Sequence, residues 1–554
     1  MLVAATLSAS VAGAPQRRAL SRTDIADITT LVMLEDTRRF DEAALRRILK
    51  SAHPEVRRRA AQAVGRIAKP EGRALLVSAR GDTDAEVAAT VAFAAGQLKD
   101  PDAVGWLGAL LSSPQTPDIV AREAARSLGK IRSPEARVAL GTFLVGAPAG
   151  PATAPVVGEA LLAIGRFMPP HDLAPVLKWT TTPDIEVRWR ATWALFRLRD
   201  PLGITYLLRL AEDRSPEVRY WAVRGLAPAV VDQAKIERAT ASIRLIAALE
   251  DDDRRVRTEA LRGLAQYDDD ASFNKVLDAL DSPDTWLSVS AAELIGRFKD
   301  RAATVVPRLV AAAGPGKPTS LRVTALTPLS SFAPAAAIEA AAALAREPGF
   351  VARRAAVQAL PRLGAPGVAR LDALVADPAM KGLLPPTNAT RAPSPIRAKT
   401  EADYRRIVER WIVTDYNGGV RPRAILGTPR GEIEIELYAG DAPLGLEHFI
   451  HTVETGEIVG TEFGRVVPNF VAHQLAIRND VTLRDEVSRL GLTRGNLSWA
   501  SSGLDTGRPG YTLGNTPQPH NEGDFTALGR VIRGMNVVDR LELGDRITSA
   551  RMRR

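Results

Sequence analysis

The sequence predicts a multidomain chain: an all-α solenoid of helical repeats followed by a mainly β domain. Three observations carry that reading. An apolar residue that opens a helix recurs at Val56, Val87, Val120, Val156, Val187, Val218, Val256, Leu287, Leu321 and Val351, at spacings of about 30 to 38 residues. From Met380 to Thr400 the helical pattern breaks into Pro385-Pro386 and Ala392-Pro393-Ser394-Pro395, a semi-rigid linker. Beyond Asn417-Gly418-Gly419 the apolar period changes from helical to alternating. The divisions are 1–21, an N-terminal segment; 22–380, the repeats; 381–423, linker and bridging helix; and 424–554, the β domain.

The first segment, MLVAATLSASVAGAPQ, is a short apolar run closing on Ala12-Gly13-Ala14, the small-residue pattern of a signal-peptide cleavage site without the charged n-region. It reads as a signal peptide, which places the protein in the periplasm or outside the cell, or as an Ala-rich first helix of a cytoplasmic protein. No apolar stretch approaches the roughly 20 residues of a membrane-spanning helix. The chain has no cysteine, which excludes disulfides, thiolate zinc sites and Cys nucleophiles.

The fullest repeats are HPEVRRRAAQAVGRIAKPEG, TPDIVAREAARSLGKIRSPEA, SPEVRYWAVRGLA and DDRRVRTEALRGLAQYDD. Val, Ala and Leu or Val recur at i, i+4, i+8, so one face of each helix is apolar. Pro54, Pro117, Pro183 and Pro216 stand at or near the first helical position, with an acid in the first turn and Thr116, Thr182 and Ser215 as N-cap candidates. Asp100-Pro101, Ser133-Pro134 and Asp200-Pro201 end one helix and start its partner. Each repeat is therefore a helix pair. The pattern V-R-x-x-A-x-x-A-L-G-x-[IL] with a following Pro turn resembles HEAT repeats, particularly the short type also found in phycobilin lyase relatives. That resemblance implies a solenoid that binds partner proteins on its concave face.

Charge divides unevenly along the chain. Residues 424–554 carry 14 Arg, no Lys and 17 Asp or Glu, a balance of −3 that leaves +12 on the rest of the +9 chain. The basic excess on the repeats suits an anionic partner, nucleic acid or lipid headgroups. The reading the sequence favours is a solvated Arg-rich face, which leaves nucleic acid as the more distant alternative. Trp189, Trp193 and Trp221, beside Arg188, Arg190 and Arg219, offer a cluster that could stack on a base or grip a peptide. Packing of Trp193 between layers, with the arginines in solvent, is the stronger account.

A helix is expected from about Glu401 to Val413, and GEIEIELYAGDAP then alternates Ile433, Ile435 and Leu437 with Glu432, Glu434 and Glu436, a strand with one wet face. Asp441-Ala442-Pro443 starts a helix that Gly456 stops. Short strands and Gly-rich turns follow in GTEFGRVVPNFVAHQ and RGNLSWASSGLDTG, and TPQPHNEGDFTALGRVIRGMNVVDRLELGDRI adds one more helix. His448 and His451, three apart on a helix, could face one metal ion, but no third ligand accompanies them. No metal, nucleotide or cofactor motif occurs.

These segments resemble the cyclophilins, whose order is G-x-I-x-I-E-L-[FY], A-P-x-x-x-x-N-F, G-T-x-F-H-R-V-[IV]-P-x-F, R-G-x-[LV]-[SG]-M-A and [FV]-G-[RK]-V-x-x-G-M-x-V-V-D-x-[IL]. The resemblance implies an eight-stranded antiparallel barrel capped by two helices, near Pro443 to Thr455 and Met535 to Leu541. It also implies peptidyl-prolyl cis-trans isomerase activity without a cofactor, on proline-containing polypeptides. The barrier to rotation about the prolyl bond, about 18 to 20 kcal/mol, comes from amide resonance, so a guanidinium that bonds the prolyl nitrogen as conjugation is lost favours the transition state.

The family's arginine corresponds to Arg465, and its ring slot to Phe470 and Val471. Departures follow. His473 stands where the family has Gln, and a one-residue slip would bring Gln474 there instead. Arg508-Pro509-Gly510-Tyr511-Thr512 replaces G-S-Q-F-F, so Thr512 takes a pocket aromatic's place and Tyr511 is expected to compensate in part. Asn521 and Phe525 match the pocket rim, and the stretch between Leu475 and Glu486 is shorter than the family's loop. The expected function is a weak isomerase that assists protein folding, with the array as client-binding scaffold. The alternative is a catalytically degenerate module that binds proline peptides.

Overall fold

The computed structural model describes residues 18–168, 172–385, 399–475 and 482–553. The signal-peptide reading falls almost entirely on residues 1–17, outside the described residues, as do most of the Pro-rich linker and residues 476–481.

All ten apolar openers lie in the first turns of helices of a single layer. After a leading helix α1 (Arg22–Thr37), the layer comprises α2 (Pro54–Ile67), α3 (Ala85–Gln97), α4 (Asp118–Ile131), α5 (Ala154–Ile164) and α6 (Ile185–Leu198). It continues with α7 (Pro216–Arg224), α8 (Arg254–Leu264), α9 (Thr285–Leu294), α10 (Thr319–Phe332) and α11 (Phe350–Ala359). Each packs on the next, and the intervening helices, such as Val104–Ser112 and Pro134–Gly146, form a second layer behind them. In α2 the apolar stripe Val56, Ala60, Val64 and Ile67 is buried. The repeat glycine sets the spacing between helices: a Cβ on Gly65 would stand 2.9 Å from Ala94 Cα, and one on Gly129 2.7 Å from Ala163 Cα.

The caps differ from expectation at two helices. Pro117 and Asp184, not Thr116 and Thr182, hold the N-cap positions of α4 and α6, and Asp184 accepts the Val187 N–H. Only Ser215 of the three sits at an N-cap, without a side-chain bond. The carboxylates of Asp84, Asp184, Asp253 and Asp284 lie nearer their helices and accept the orphan N–H groups instead.

The arginine that follows several openers joins one repeat to the next. Arg57 pairs with Asp82, Arg188 with Asp213, Arg219 with Asp251 and Arg257 with Asp284. Arg188 donates to both carboxylate oxygens at 2.7 and 3.0 Å, and Asp213 also accepts the Ser215 N–H. These arginines are therefore structural staples rather than solvated groups. The nearby aromatics are packed as well: Trp189, Trp193 and Trp221 are buried, the last two edge to face at 6.5 Å. Removing one partner of such a buried, bonded pair leaves the other charge unmatched, so Arg188→Ala is expected to cost about 3 kcal/mol. Arg190, paired only with the exposed Glu186 one turn back on its own helix, is expected to cost under about 1 kcal/mol when changed in the same way. Chemical denaturation of both variants checks the contrast, and equal losses would refute the staple.

The bridging helix α12 (Glu401–Ile407) opens on a Thr400–Asp403 capping box and continues through a π-helical stretch, Val408–Val413. It lies between the first repeat helix and the β domain. Tyr404 Oη donates to Asp36 on α1 at 2.8 Å, and Trp411 Nε1 donates to Glu447 at 2.6 Å.

The β domain has eight antiparallel strands: β1 (Arg423–Thr428), β2 (Gly431–Leu437), β3 (Phe463–Val467), β4 (Val471–Gln474), β5 (Asn496–Trp499), β6 (Tyr511–Gly514), β7 (Ala527–Arg533) and β8 (Ser549–Arg553). Two helices accompany them, α13 (Pro443–Glu454) and α14 (Met535–Val538). The order is β3-β4-β6-β5-β7-β2-β1-β8. The sheet curls until its edges meet at the Glu462–Arg546 bridge. Ile433, Ile435, Leu437, Phe449 and Trp499 fill its core.

The barrel sits against the inner layer of the array from one end to the other. Arg38 pairs with Asp505 and donates to Asp485 O. Arg126 donates to Arg489 O, Lys130 to Gly523 O, Arg166 to Pro519 O and Arg254 to Asp539 O. At the far end the N–H groups of Phe350 and Val351 donate to Glu462. Along these helices the array's face is thus occupied by the chain's own barrel. The physical reason is charge. Array cations donate into carbonyls and carboxylates of an acidic barrel, where residues 1–423, at +12, meet the −3 of the C-terminal domain. No described helix is long and apolar enough to cross a membrane.

Candidate active site

Strand register assembles the site. Arg465 on β3 lies opposite His473 on β4, His473 opposite Thr512 on β6, and Thr512 opposite Ser498 on β5. Directly opposed residues share a face, so the four form one transverse row. The next row, Phe463, Gln474, Tyr511 and Trp499, points the other way into the barrel, each at most 3% exposed.

This parity decides two sequence expectations. Gln474 does not slip into the row: its Oε1 accepts the Tyr511 N–H at 3.3 Å and its amide donates to Leu475 O, both on the core side. Tyr511 does not compensate for Thr512 either; its ring packs edge-on against Phe449 of α13, centroids 4.8 Å apart. Both residues belong to the barrel core because side chains alternate faces along a strand.

Arg465, Phe470, His473, Thr512 and Asn521 are linked through strand register and hydrogen bonds. The Arg465 guanidinium is exposed and stacks over the Phe470 ring at 5.5 Å. Phe470 is half-buried, and Val471 beside it is covered; neither belongs to the barrel's apolar core, and nor does Phe525, also half-buried. Asn521 donates to Gln518 Oε1 at 2.9 Å, and Gln518 donates to Phe470 O at 3.2 Å, which ties the rim to the ring slot. Thr512 is buried and its hydroxyl lies 2.7 Å from that of Ser498, so the pocket floor is polar where an aromatic was displaced. The turn before Phe470 is held from outside. Asn469, at φ 59°, donates to Arg255 O and Glu259 Oε1 of α8 at 2.9 and 2.8 Å.

Burial, reinforced by the charges of Arg465 and Arg354, pulls the His473 imidazole down to about 4. It is therefore neutral at physiological pH and able to donate or accept one hydrogen bond beside Arg465. Arg354 comes from α11 and donates to Gly464 O at 3.4 Å. Neither Arg354 nor Gln518 was foreseen from sequence: the first lies 111 residues away in the array, with no motif to point at the barrel, and the second sits in the irregular TPQPH turn. His448 and His451 line a cavity with Trp499 and the bridging helix, away from this row.

The fold is an eight-stranded antiparallel barrel mounted on a helical-repeat array. Comparison with known proteins gives the lineage of both parts. Residues 424–553 match the family described as cyclophilin type peptidyl-prolyl cis-trans isomerase/CLD, and residues 73–154, 152–227 and 243–315 match HEAT repeats. Relatives named peptidyl-prolyl cis-trans isomerase include one from Helicobacter pylori, 31% identical over 23% of this chain and 83% of that one. Another, from Synechococcus elongatus, is 30% identical over 24% and 95%. Isomerase B of Bacillus subtilis is 30% identical over 22% and 90%. A crystal structure of a Cryptosporidium parvum cyclophilin type isomerase aligns with 24% of this chain and 98% of its own, at 17% identity and a TM-score of 0.23. The chain belongs, through its C-terminal domain, to the cyclophilin-type peptidyl-prolyl cis-trans isomerases.

Proposed function

We propose that the barrel isomerises peptide bonds preceding proline, slowly for its class, with Arg465 as the catalytic residue. The observation that carries this is the exposed Arg465 guanidinium standing over Phe470 in one row with His473. Phe470, Val471 and Phe525 supply an apolar slot for the ring, and Arg465 reaches the prolyl nitrogen as its lone pair leaves conjugation. No bond to the protein forms or breaks. Asn521 orients the rim, and His473 takes the position at which the family uses Gln. With the inner face of the array occupied by the barrel, protein partners are assigned to its outer face. The test is a protease-coupled proline-peptide assay on the full chain and on Arg465→Ala. Rates equal to buffer for both would leave only peptide binding, the reading that Thr512 favours by removing an aromatic from the pocket.

His473 makes a second expectation. An amide that bonds substrate and Arg465 together restores one hydrogen bond to a charged group, worth about 1.5 kcal/mol or more. His473→Gln is therefore expected to raise kcat/KM about tenfold. Because His473 is already neutral, the parent enzyme's kcat/KM should stay level between about pH 5.5 and 8, with any fall from this group confined to near pH 4. A bell centred near neutrality, or no gain in the variant, would remove His473 from the site.

A further inference from the structure

Five arginines, Arg197, Arg199, Arg224, Arg262 and Arg297, line one cavity of about 420 Å³ at the C-terminal ends of α6 to α9, against only Glu259 and Glu293. Glu259 is already engaged, by Arg262 at 2.8 Å and Arg224 at 3.6 Å. Among the described residues, Arg197, Arg199 and Arg297 have no carboxylate partner. Other array arginines, among them Arg80, Arg132 and Arg214, also have no carboxylate partner among the described residues, but Arg197, Arg199 and Arg297 are gathered on one cavity. A cation at a helix C-terminus also answers the helix dipole, but the end of α6 alone brings both Arg197 and the C-cap residue Arg199.

The cavity adjoins the ring slot. Glu259 in its wall accepts from Asn469 at 2.8 Å, and Asn469 immediately precedes Phe470. His520 precedes the rim residue Asn521. Burial pulls its imidazole down to about 4, and the charges of Arg197, Arg224 and Arg166 add to the effect. Arg197, Arg224 and Arg166 thus lie close enough to His520 to act on its imidazole.

We propose that this cavity receives the carboxylates of an acidic segment flanking the target proline, so that acidic proline-containing polypeptides are the preferred substrate class. The preference rests on the isomerase reading for turnover, but not for binding. The probes are fluorescein-labelled Ala-Ala-Pro-Phe peptides with four Glu, or four Gln, placed on either side of the proline in separate peptides. Anisotropy and the protease-coupled assay are read on the full chain and on the triple variant Arg197→Gln, Arg199→Asn, Arg297→Gln. The Glu peptide of one placement is expected to bind about tenfold tighter than its Gln counterpart, with a KM lowered in the same ratio. That ratio should fall to about one in the variant and in roughly 0.5 M salt. Equal affinity in both placements, or a ratio that survives the triple variant, overturns the proposal. The double variant Arg199→Asn, Arg297→Gln serves if the triple variant does not fold. Tight, salt-sensitive binding without turnover would keep the cavity and refute the isomerase reading.

Discussion

Replacing Arg465 by alanine is expected to lower kcat/KM for proline peptides by about a hundredfold or more, since removing one preorganised donor to a developing charge typically costs about 2.7 to 4 kcal/mol. The effect should fall on turnover rather than on binding. The ring slot of Phe470, Val471 and Phe525 stays in place, whereas the bond to the prolyl nitrogen strengthens only as the amide twists. Arg465→Lys is expected to recover little, because an ammonium lacks the planar fork that stacks on Phe470. Folding should be unaffected, as the side chain is exposed and none of the ion pairs found in the described residues includes it. A variant that keeps most of its rate would show that the barrel accelerates isomerisation, if at all, by desolvating the peptide alone.

The second large effect is expected at Arg66, whose side chain is 2% exposed at the seam between α2 and the barrel. It pairs with Glu35 at 2.7 Å and donates to Val487 O at 2.9 Å, Glu486 O at 3.1 Å and Asp441 O. Alanine there leaves a buried Glu35 and three barrel carbonyls without their donor. Losing one partner of a buried pair costs about 3 to 5 kcal/mol, and here the loss falls on the seam rather than on either core. Arg66→Ala is therefore expected to split one thermal transition into two and to speed proteolysis between the units. A single transition at an unchanged temperature would show that the seam is held elsewhere.

Much of this was legible in the sequence because it depends on period. The ten openers announce the inner layer, and the alternation from Ile433 to Leu437 announces β2. Arg465 and Phe470 come together through local strand geometry. Parity is where residue-level matching failed: Tyr511 and Thr512 are neighbours, and a one-residue choice on a strand exchanges core for groove. The same holds for His473 and Gln474. Long-range docking left a fainter trace. Only the opposed charges of the two halves hinted that the array's partner lies in the same chain, and no pattern named Arg354, Asn469 or Glu259.

A linear stack of repeats ordinarily behaves like a zip, each unit coupled to its neighbours alone and free to fray from either end. Here Asp505 and Asp485 hold the first helix, Gly523 and Pro519 meet the middle, and Glu462 holds α11, the last helix of the inner layer. The barrel thus couples units that are hundreds of residues apart. Hydrogen exchange should accordingly find the terminal repeats protected nearly as well as the central ones, in a molecule that opens all at once rather than from its tips.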